Sequence, residues 1–190
     1  MDARALGLSF LAWALYPLWL AAGAADYLCH RRTHIERTSG AVESWLHVAQ
    51  FLAIAALLAL ATLFAVTMSV WISLLAIALV HSTLSLIDVA YSEKRRRISP
   101  IEQHVHGFLN VIPLIAVGLL AAMNWPLSSH AAAGPWFESA PTSLLVSFCV
   151  LAGAPVLEEL VRTLRARRRA TQGATQHGAA SHASSTEYAP

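Results

Sequence analysis

The stretch that decides the fold is VAQFLAIAALLALATLFAVTMSVWISLLAIALVHSTLSLIDVAY, residues 48–91. With histidine counted as neutral, Asp88 is its single charged residue. As one helix rising 1.5 Å per residue, the stretch would be about 65 Å long, roughly twice the thickness of the hydrocarbon core of a bilayer. It therefore predicts a hairpin of two membrane-spanning helices that turns near residues 66–69.

Three further apolar stretches are long enough to cross a membrane, at about residues 6–25, 107–125 and 143–160. Across the 190 residues, 56% are hydrophobic and 13% are charged, about half the charged share of a soluble domain. These features predict an all-α integral membrane protein, a helical bundle of about five transmembrane helices within residues 1–169. Residues 170–190 have little to bury and are predicted to be a disordered cytoplasmic tail.

The lysine and arginine side chains predict the orientation. Cytoplasmic loops of membrane proteins carry the excess of positive charge, so the N-terminus is expected outside and the C-terminus inside, in a multi-pass protein of the cell (inner) membrane. The basic residues flank apolar spans and form no soluble basic face, so membrane lipid is an expected partner and nucleic acid is not. Twelve of the thirteen share the predicted cytoplasmic side: Arg31, Arg32, Arg37, Lys94, Arg95, Arg96, Arg97, Arg162, Arg165, Arg167, Arg168 and Arg169.

Nine histidine and carboxylate residues are expected to gather at the cytoplasmic end of this bundle. Carboxylate and histidine recur four residues apart in three places, which puts both on one face of a helix. His81 and Asp88, seven residues apart, share a face near the end of the third span, and His81 is the deepest of the set. The nine residues are Asp26, His30, His34, Glu43, His47, His81, Asp88, Glu102 and His106.

Helix bundles build metal sites from side chains that project inward at one depth. Imidazole together with carboxylate suits iron, zinc, manganese or copper, and two ions would use about six to eight protein ligands. Ionisable groups that border hydrocarbon usually face a partner or a water-filled cavity. The nine residues are therefore predicted to be ligands of a cytoplasm-facing binuclear metal site, with iron as the expected metal. No catalytic residue is predicted.

Each pair also has an interpretation without a metal. Ser99 and Glu102 have the spacing of a capping box at a helix start, and Glu43 suits the positive end of a helix dipole. Asp26 and Asp88 each have an arginine near enough in sequence for an ion pair at the membrane surface. The occurrence of four carboxylate and histidine pairs on one side of one membrane favours the metal site.

The segment HRRTH, residues 30–34, has the H-x-x-x-H form of the first histidine box in membrane fatty-acid desaturases and hydroxylases. The chain resembles that family in this box alone. The HxxHH boxes are absent, and HVH at residues 104–106 is the nearest approach. The resemblance implies a di-iron centre at the cytosolic face, oxygen-dependent oxidation of a lipid-like substrate, and an electron donor of unknown identity. Carboxylates would stand where that family has histidines.

A second partial resemblance involves the segments EELVR, residues 158–162, and HGFLN, residues 106–110. They are similar to the paired-glutamate and H-x-x-x-N elements of intramembrane CAAX-type proteases. In that family the glutamate pair precedes the histidine motif, whereas here it follows.

Other interpretations stay open at the level of sequence. A b-type haem protein would pair two of His47, His81 and His106 across the bundle. A metal or proton transporter would need polar residues along the whole membrane path, whereas the outer halves of the spans are apolar. A structural or assembly subunit would need no metal.

Overall fold

The computed structural model describes residues 3–127 and 141–186, with the backbone alone for 141–142 and 174–186. The first three elements form one continuous rod: α1 (Ala3–Phe10), a π-helical turn (Leu11–Leu15) and α2 (Tyr16–Thr33). A 3₁₀ turn (Ile35–Arg37) leads to α3 (Ala41–Leu63), followed by α4 (Met68–Ser92) and α5 (Pro100–Met123). The last helices are α6 (Pro141–Leu151) and α7 (Gly153–Thr186). These described residues contain no strand.

The predicted all-α membrane bundle is confirmed. Within the described ranges, five helical stretches are long and apolar enough to cross a membrane, and they are numbered here as spans one to five. They are Ala3–Thr33, Ala41–Leu63, Met68–Ser92, Pro100–Met123 and Ser143–Gly173.

Spans two and three form the predicted hairpin and pack against each other. The chain turns at residues 64–67, where no glycine or proline occurs. Thr67 is the N-cap of α4: its hydroxyl oxygen accepts a hydrogen bond from the backbone N–H of Val70 at 3.3 Å. A polar N-cap of this kind satisfies a backbone donor that would otherwise be unpaired at the helix start.

The link from span one to span two bends sharply. α2 ends at Thr33 because His34 has a left-handed backbone conformation, with φ 50°, which is uncommon for a residue with a Cβ. Ile35 is fully buried and anchors the 3₁₀ turn, and Gly40, with φ 70°, precedes α3. The helical face that carries His30 therefore does not continue to His34.

The interior of the bundle divides by polarity along its axis. One half has an apolar core from spans two, three and four, formed by Leu57, Leu74, Ala78, Val117 and Leu120. The other half buries mainly histidines and carboxylates. On the outside, large apolar side chains such as Leu52, Leu86 and Ile101 are exposed, as suits helices solvated by lipid. In lipid, close packing and interhelical hydrogen bonds hold such helices together.

The two ends of the bundle are named here by their charge. The basic end is the one that carries Arg31, Arg96 and Arg162, and the apolar end carries the turn at residues 64–67. That the basic end faces the cytoplasm stays a prediction. α7 continues past the predicted domain boundary at residue 170 as far as Thr186, and residues 187–190 lie outside the described ranges. The division into bundle and tail also stays a prediction.

Candidate metal centre

Eight histidine and carboxylate side chains converge at the basic end, and every span contributes at least one. Each of these residues is at most 9% exposed. Seven of them belong to the nine predicted ligands, and the eighth comes from span five. The eight, called the cluster below, are Asp26, His30, Glu43, His47, Asp88, Glu102, His106 and Glu159.

Local helix geometry aims these side chains inward. In three helices a carboxylate and a histidine lie four residues apart, so both project from one face. At the start of α5, the Ser99 hydroxyl accepts the Glu102 backbone N–H at 3.1 Å, and Pro100 takes the first helical position. Ser99 thus caps the backbone as the sequence predicted. The Glu102 carboxylate is fully buried in the cluster.

His30 is at the centre of the cluster. Its Nδ1 lies 3.0 Å from Glu159 Oε2, and when that carboxylate is ionised it only accepts, which assigns the hydrogen to Nδ1. The other ring nitrogen, Nε2, faces carboxylate oxygens of Asp26 and Glu102 at 3.5 Å and of Glu43 at 3.7 Å. A bare lone pair directed at three carboxylates would be repelled. This arrangement therefore requires protons or a metal cation between His30 and the three carboxylates.

His47 is engaged at both of its ring nitrogens. Nδ1 lies 2.5 Å from Glu159 Oε1, and Nε2 lies 3.1 Å from Asp88 Oδ2. Glu159 therefore joins two imidazoles, one at each carboxylate oxygen. The rings of His30 and His47 are stacked, with centroids 4.6 Å apart and planes inclined by 5°. A carboxylate that orients an imidazole in this way is the usual support for a histidine that binds a metal.

His106 and Asp26 form the third contact of this kind. His106 Nε2 lies 3.0 Å from Asp26 Oδ1, in an approach that lacks hydrogen-bond alignment. Five buried ligand-type atoms of the cluster have no hydrogen-bond partner among the described residues: Asp26 Oδ1, His30 Nε2, Asp88 Oδ1, Glu102 Oε2 and His106 Nδ1. Buried polar atoms in native proteins are nearly always paired, so five such atoms in one place are what a site able to hold a cation would have.

Arg96 closes the cluster from the loop between α4 and α5. Its Nη2 lies 2.5 Å from Oε1 of both Glu43 and Glu102. Arg96 is 8% exposed, whereas its three basic neighbours in the loop are exposed. Burial alone would lower the pKa of this guanidinium, but the hydrogen bonds to Glu102 and Glu43 outweigh burial and raise the pKa above its ordinary value. Arg96 therefore holds a permanent positive charge against the two carboxylates.

The cluster nevertheless has more negative than positive charge. Counting described residues only, five carboxylates share this site with three imidazoles and one guanidinium. If all three imidazoles are protonated, one negative charge remains, and if all are neutral, four remain. Buried charge without a counter-charge is strongly unfavourable. Divalent metal ions would compensate this charge while leaving the imidazoles neutral, the form in which histidine binds a metal.

The ligand atoms are close enough to share metal ions. One ligand atom from each residue lies within 4.8 Å of the others in two overlapping groups: Asp26, His30, Glu102 and His106, and His30, Glu43 and His47. Metal–ligand bonds of about 2.0–2.2 Å put two ligands of one ion at most about 4.4 Å apart, so a contraction of a few tenths of an ångström suffices. These buried histidine and carboxylate groups can therefore hold a metal ion.

Comparison with models of protein families, with characterised proteins and with solved structures found no match to this chain. The chemistry of the cluster is therefore the basis on which a function can be inferred.

One predicted ligand, His34, lies away from the cluster. Its side chain is exposed, and Nδ1 lies 3.3 Å from Glu36 Oε1 at the surface. The left-handed backbone at this residue ends α2 and turns the side chain off the inward face. The H-x-x-x-H box thus contributes His30 alone to the cluster.

His81 lies beside the cluster and not within it. It is 2% exposed and lines a cavity of about 90 Å³ together with Asp26, His30, His47 and Glu159. Its Nδ1 has no hydrogen-bond partner in the described part of the chain. His81 thus shares the cavity with His30 and His47 and forms no ion pair with a described carboxylate, and its role as a metal ligand stays a prediction.

Glu159 is the cluster residue that no sequence pattern singled out as a ligand. Its neighbour Glu158 faces the surface, where it pairs with Arg31 at 3.0 Å and with Arg162 at 3.3 Å. The glutamate pair is therefore split, with one member outward and one inward. Thr163, four residues further along α7, is also buried, so helical spacing was the signal that could have placed Glu159 on the inward face.

Surface ion pairs of the kind expected without a metal do occur, one layer outside the cluster. Arg162 donates to Glu36 and also pairs with Glu158. Burial alone would raise the pKa of the Glu36 carboxyl, but its own backbone N–H and Arg162 outweigh burial, so the pKa is lower than its ordinary value. This outer layer balances its own charges and leaves the cluster's excess uncompensated.

Proposed function

We propose that this chain is a membrane metalloenzyme whose cluster binds two iron ions and uses dioxygen to oxidise a lipid-like substrate. The observation that carries the proposal is His30 Nε2, which faces Asp26, Glu43 and Glu102 with no described hydrogen-bond partner. A cation between His30 Nε2 and the carboxylate oxygens of these three residues would have all of them as ligands.

Two ions fit the composition of the cluster better than one. Seven donor residues remain when Glu159, which holds two histidine rings, is set aside, and about six to eight protein ligands are expected for a binuclear site. With neutral imidazoles, two divalent ions would balance the four negative charges that remain after Arg96 is counted. His30 would serve one ion through Nε2, while Glu159 holds its Nδ1 hydrogen and fixes the ring.

Iron suits this donor set. Mixed imidazole and carboxylate ligands, with no thiolate in the cluster, favour iron, manganese or zinc over softer metals. Helix bundles that carry carboxylate and histidine on facing helices hold di-iron and di-manganese centres, which is support by architectural analogy. The H-x-x-x-H resemblance adds little, because His34 lies apart from the cluster.

The bound iron would activate dioxygen. The protein would position the substrate and keep bulk water away from it. Hydroxylation of a C–H bond consumes one dioxygen, two protons and two electrons and yields the alcohol and one water. Desaturation consumes the same inputs and yields the alkene and two waters. The two electrons come from an external donor. The buried carboxylates would hold the metals' charge, and the enclosing spans would keep bulk water from the reacting carbon.

The alternative functions fit less well. A haem would need histidine nitrogens free for its iron, whereas carboxylates hold both ring nitrogens of His47 and Nδ1 of His30. An intramembrane protease of the CAAX type would use both glutamates, but Glu158 is engaged by arginines at the surface. A transporter would continue polar groups toward the apolar end, where the described core is Leu, Ala and Val.

Metal analysis of the purified full chain tests this function. Cells grown with ⁵⁷Fe should yield protein with about two irons per chain and a Mössbauer spectrum of coupled non-haem iron. His106→Ala should lose at least half of the metal, whereas His104→Ala, on the exposed side of the same helix, should keep all of it. A parent protein that binds no transition metal under these conditions, or equal metal in both variants, refutes the proposal.

A further inference from the structure

A second cavity lies inside the bundle, between the cluster and the apolar end. It has a volume of about 120 Å³ and is lined by spans one, two and four and the start of α6. Every described side chain that lines it is buried or half-buried. The cavity is therefore a partly open cleft between the helices, and its walls are turned away from the exposed faces of the spans. It is called the inner cavity below.

The inner cavity adjoins the cluster's own cavity through a single aromatic wall. Trp19 lines both cavities. Its ring lies 5.7 Å from that of Phe148, which stacks on Phe51 at 4.8 Å. Phe51 also lines the cluster's cavity. The inner cavity and the cavity beside the cluster are thus separated by Trp19.

Two irregularities of the helices border the inner cavity. The π-helical turn of span one contributes Leu11 and Leu15, and Pro113 interrupts the hydrogen bonds of α5 on the opposite side. π-helical turns occur frequently at functional sites, and proline within a helix removes one backbone hydrogen bond. Spans one and two also make few direct contacts with each other. The helices are therefore shaped to leave a space where close packing is the norm.

The lining of the inner cavity has no polar group to offer a ligand. Tyr16 and Thr62 are polar lining residues in the described part, and both are already paired. The Tyr16 hydroxyl donates to the Leu144 carbonyl at 3.0 Å, and Thr62 Oγ1 donates to the Leu58 carbonyl at 2.7 Å. A polar ligand would lose its hydrogen bonds to water here and gain none. The chemistry of the space suits hydrocarbon.

The inner cavity extends along the axis of the bundle. On α3 its lining begins at Ile54, about 10 Å from His47, and continues to Thr62, about 22 Å from His47. On α5 it reaches Leu120, about 21 Å from His106. An occupant that fills it is therefore long and narrow and points one end at Trp19.

We propose that the inner cavity holds the hydrocarbon chain of the substrate, which passes Trp19 to place the carbon to be oxidised beside the cluster. This inference rests on the proposed function, because it names the substrate as a lipid with a single extended apolar chain. Trp19 is a positioning residue in this scheme, and its indole N–H is held by the Leu109 carbonyl at 3.2 Å.

Binding of 1-bromododecane tests the inner cavity, because bromine quenches the fluorescence of a tryptophan that it touches. In the full chain, the quenching should contain a part that saturates at about one probe per chain, and this saturable part should be absent from Trp19→Phe, while exposed tryptophans such as Trp13 are quenched without saturation in both. Ala61→Phe fills the cavity and should weaken binding at least fivefold, as should Ala116→Phe from the opposite wall. Ala56→Phe, on the exposed face of the same helix as Ala61, is the matched control and should bind as the parent does.

The same samples separate this inference from the proposed function when their iron is measured. Saturable binding that the filling variants weaken supports the inner cavity whether or not iron is present, and protein without iron refutes the metal function alone. Quenching with no saturable part, or with an equal saturable part in Ala61→Phe, Ala116→Phe and Ala56→Phe, overturns the inner cavity even if two irons are bound. Ala116→Phe keeps the test decisive if Ala61→Phe does not fold.

Discussion

The imidazole of His30 lies flat against that of His47, with ring centroids 4.6 Å apart and planes inclined by 5°. Both rings also touch Glu159, and each has its remaining nitrogen directed at further carboxylates. In the absence of metal, protons between these groups must hold the arrangement together, although two charged rings in a stack repel each other. Metal ions bound at the cluster would therefore compete with protons for the same positions.

This competition predicts that metal binding releases protons. We expect at least one proton per ion bound near pH 6, and an affinity that rises about tenfold per pH unit for each proton released. Titration of the metal-free protein with Fe²⁺ in weak buffer, followed with a pH indicator, measures the release. Binding with no proton release and no dependence on pH between 6 and 8 would show that the imidazoles are not the ligands.

A pair of histidine substitutions separates the cluster from the H-x-x-x-H box. His30→Ala removes the central ring and should abolish metal retention, because His30 is the residue shared by both ligand groups. His34→Ala changes an exposed side chain and should retain the full metal content. Metal per chain, measured in membranes and after purification, is the readout. Loss of metal in both variants would show that His30 and His34 act together as ligands and would contradict this geometry.

Arg96 provides a test of buried charge. Arg96→Gln leaves Glu43 and Glu102 facing each other without their guanidinium and should destabilise the fold by about 3–5 kcal/mol. Arg97→Gln, at the exposed neighbour, should change stability by no more than about 0.5 kcal/mol. Unfolding in detergent measures both. Excess divalent metal should restore part of the loss in Arg96→Gln, since a cation can replace the lost charge, and equal stability of the two variants would exclude the buried ion pair.

The pairing of Glu36 with Arg162 predicts a pH dependence at the surface. The pKa of the Glu36 carboxyl is below its ordinary value of 4.5, so its contribution to stability is present above that value and is lost as the pH falls through the folded-state pKa. At pH 7 the parent should be more stable than Glu36→Gln by about 1 kcal/mol or less, and this difference should vanish in acid. Glu93→Gln, at an exposed position, should show no difference at either pH. A difference between parent and Glu36→Gln that persists in acid would assign the stability to another group.

The predicted orientation has a direct test. A cysteine introduced at Arg97, in the exposed loop between α4 and α5, should be protected from an impermeant maleimide in intact cells and should react after the cells are opened. Cys29 and Cys149 are first replaced by serine so that the introduced thiol alone reports. Labelling at position 97 from outside would show that the bundle has the opposite orientation, with the cluster on the outer side of the membrane.

Helical periodicity and membrane depth predicted most of the candidate site. Asp26 and His30, or Glu102 and His106, share a face because they are four residues apart, and each pair lies where a span meets its basic loop. Because an ionisable side chain that faces lipid is unfavourable, such pairs are expected to face the interior of the bundle, where they meet one another. The hairpin between spans two and three followed from length alone.

The remaining features depend on backbone detail that periodicity does not contain. His34 does not lie on the inward face, because its own backbone has the left-handed conformation that ends α2. The residue type rarely predicts this conformation. Arg96 is one of four consecutive basic residues, and the turn after α4 decides which of them points inward. Glu159 stands beside Glu158 and three residues before Arg162, so it has the sequence context of a surface ion pair.

Glu159 belongs to the span that is synthesised after the other four, yet it holds the rings of both His30 and His47. Four inserted spans therefore present these imidazoles without the carboxylate that orients them, and a chain truncated after α5 would be embedded in the bilayer but unable to complete the cluster. With the function proposed above, loading of the metal would thereby be tied to the end of membrane insertion. The newly made bundle would capture its ions when its last helix is in place, and unfinished chains would carry no reactive centre.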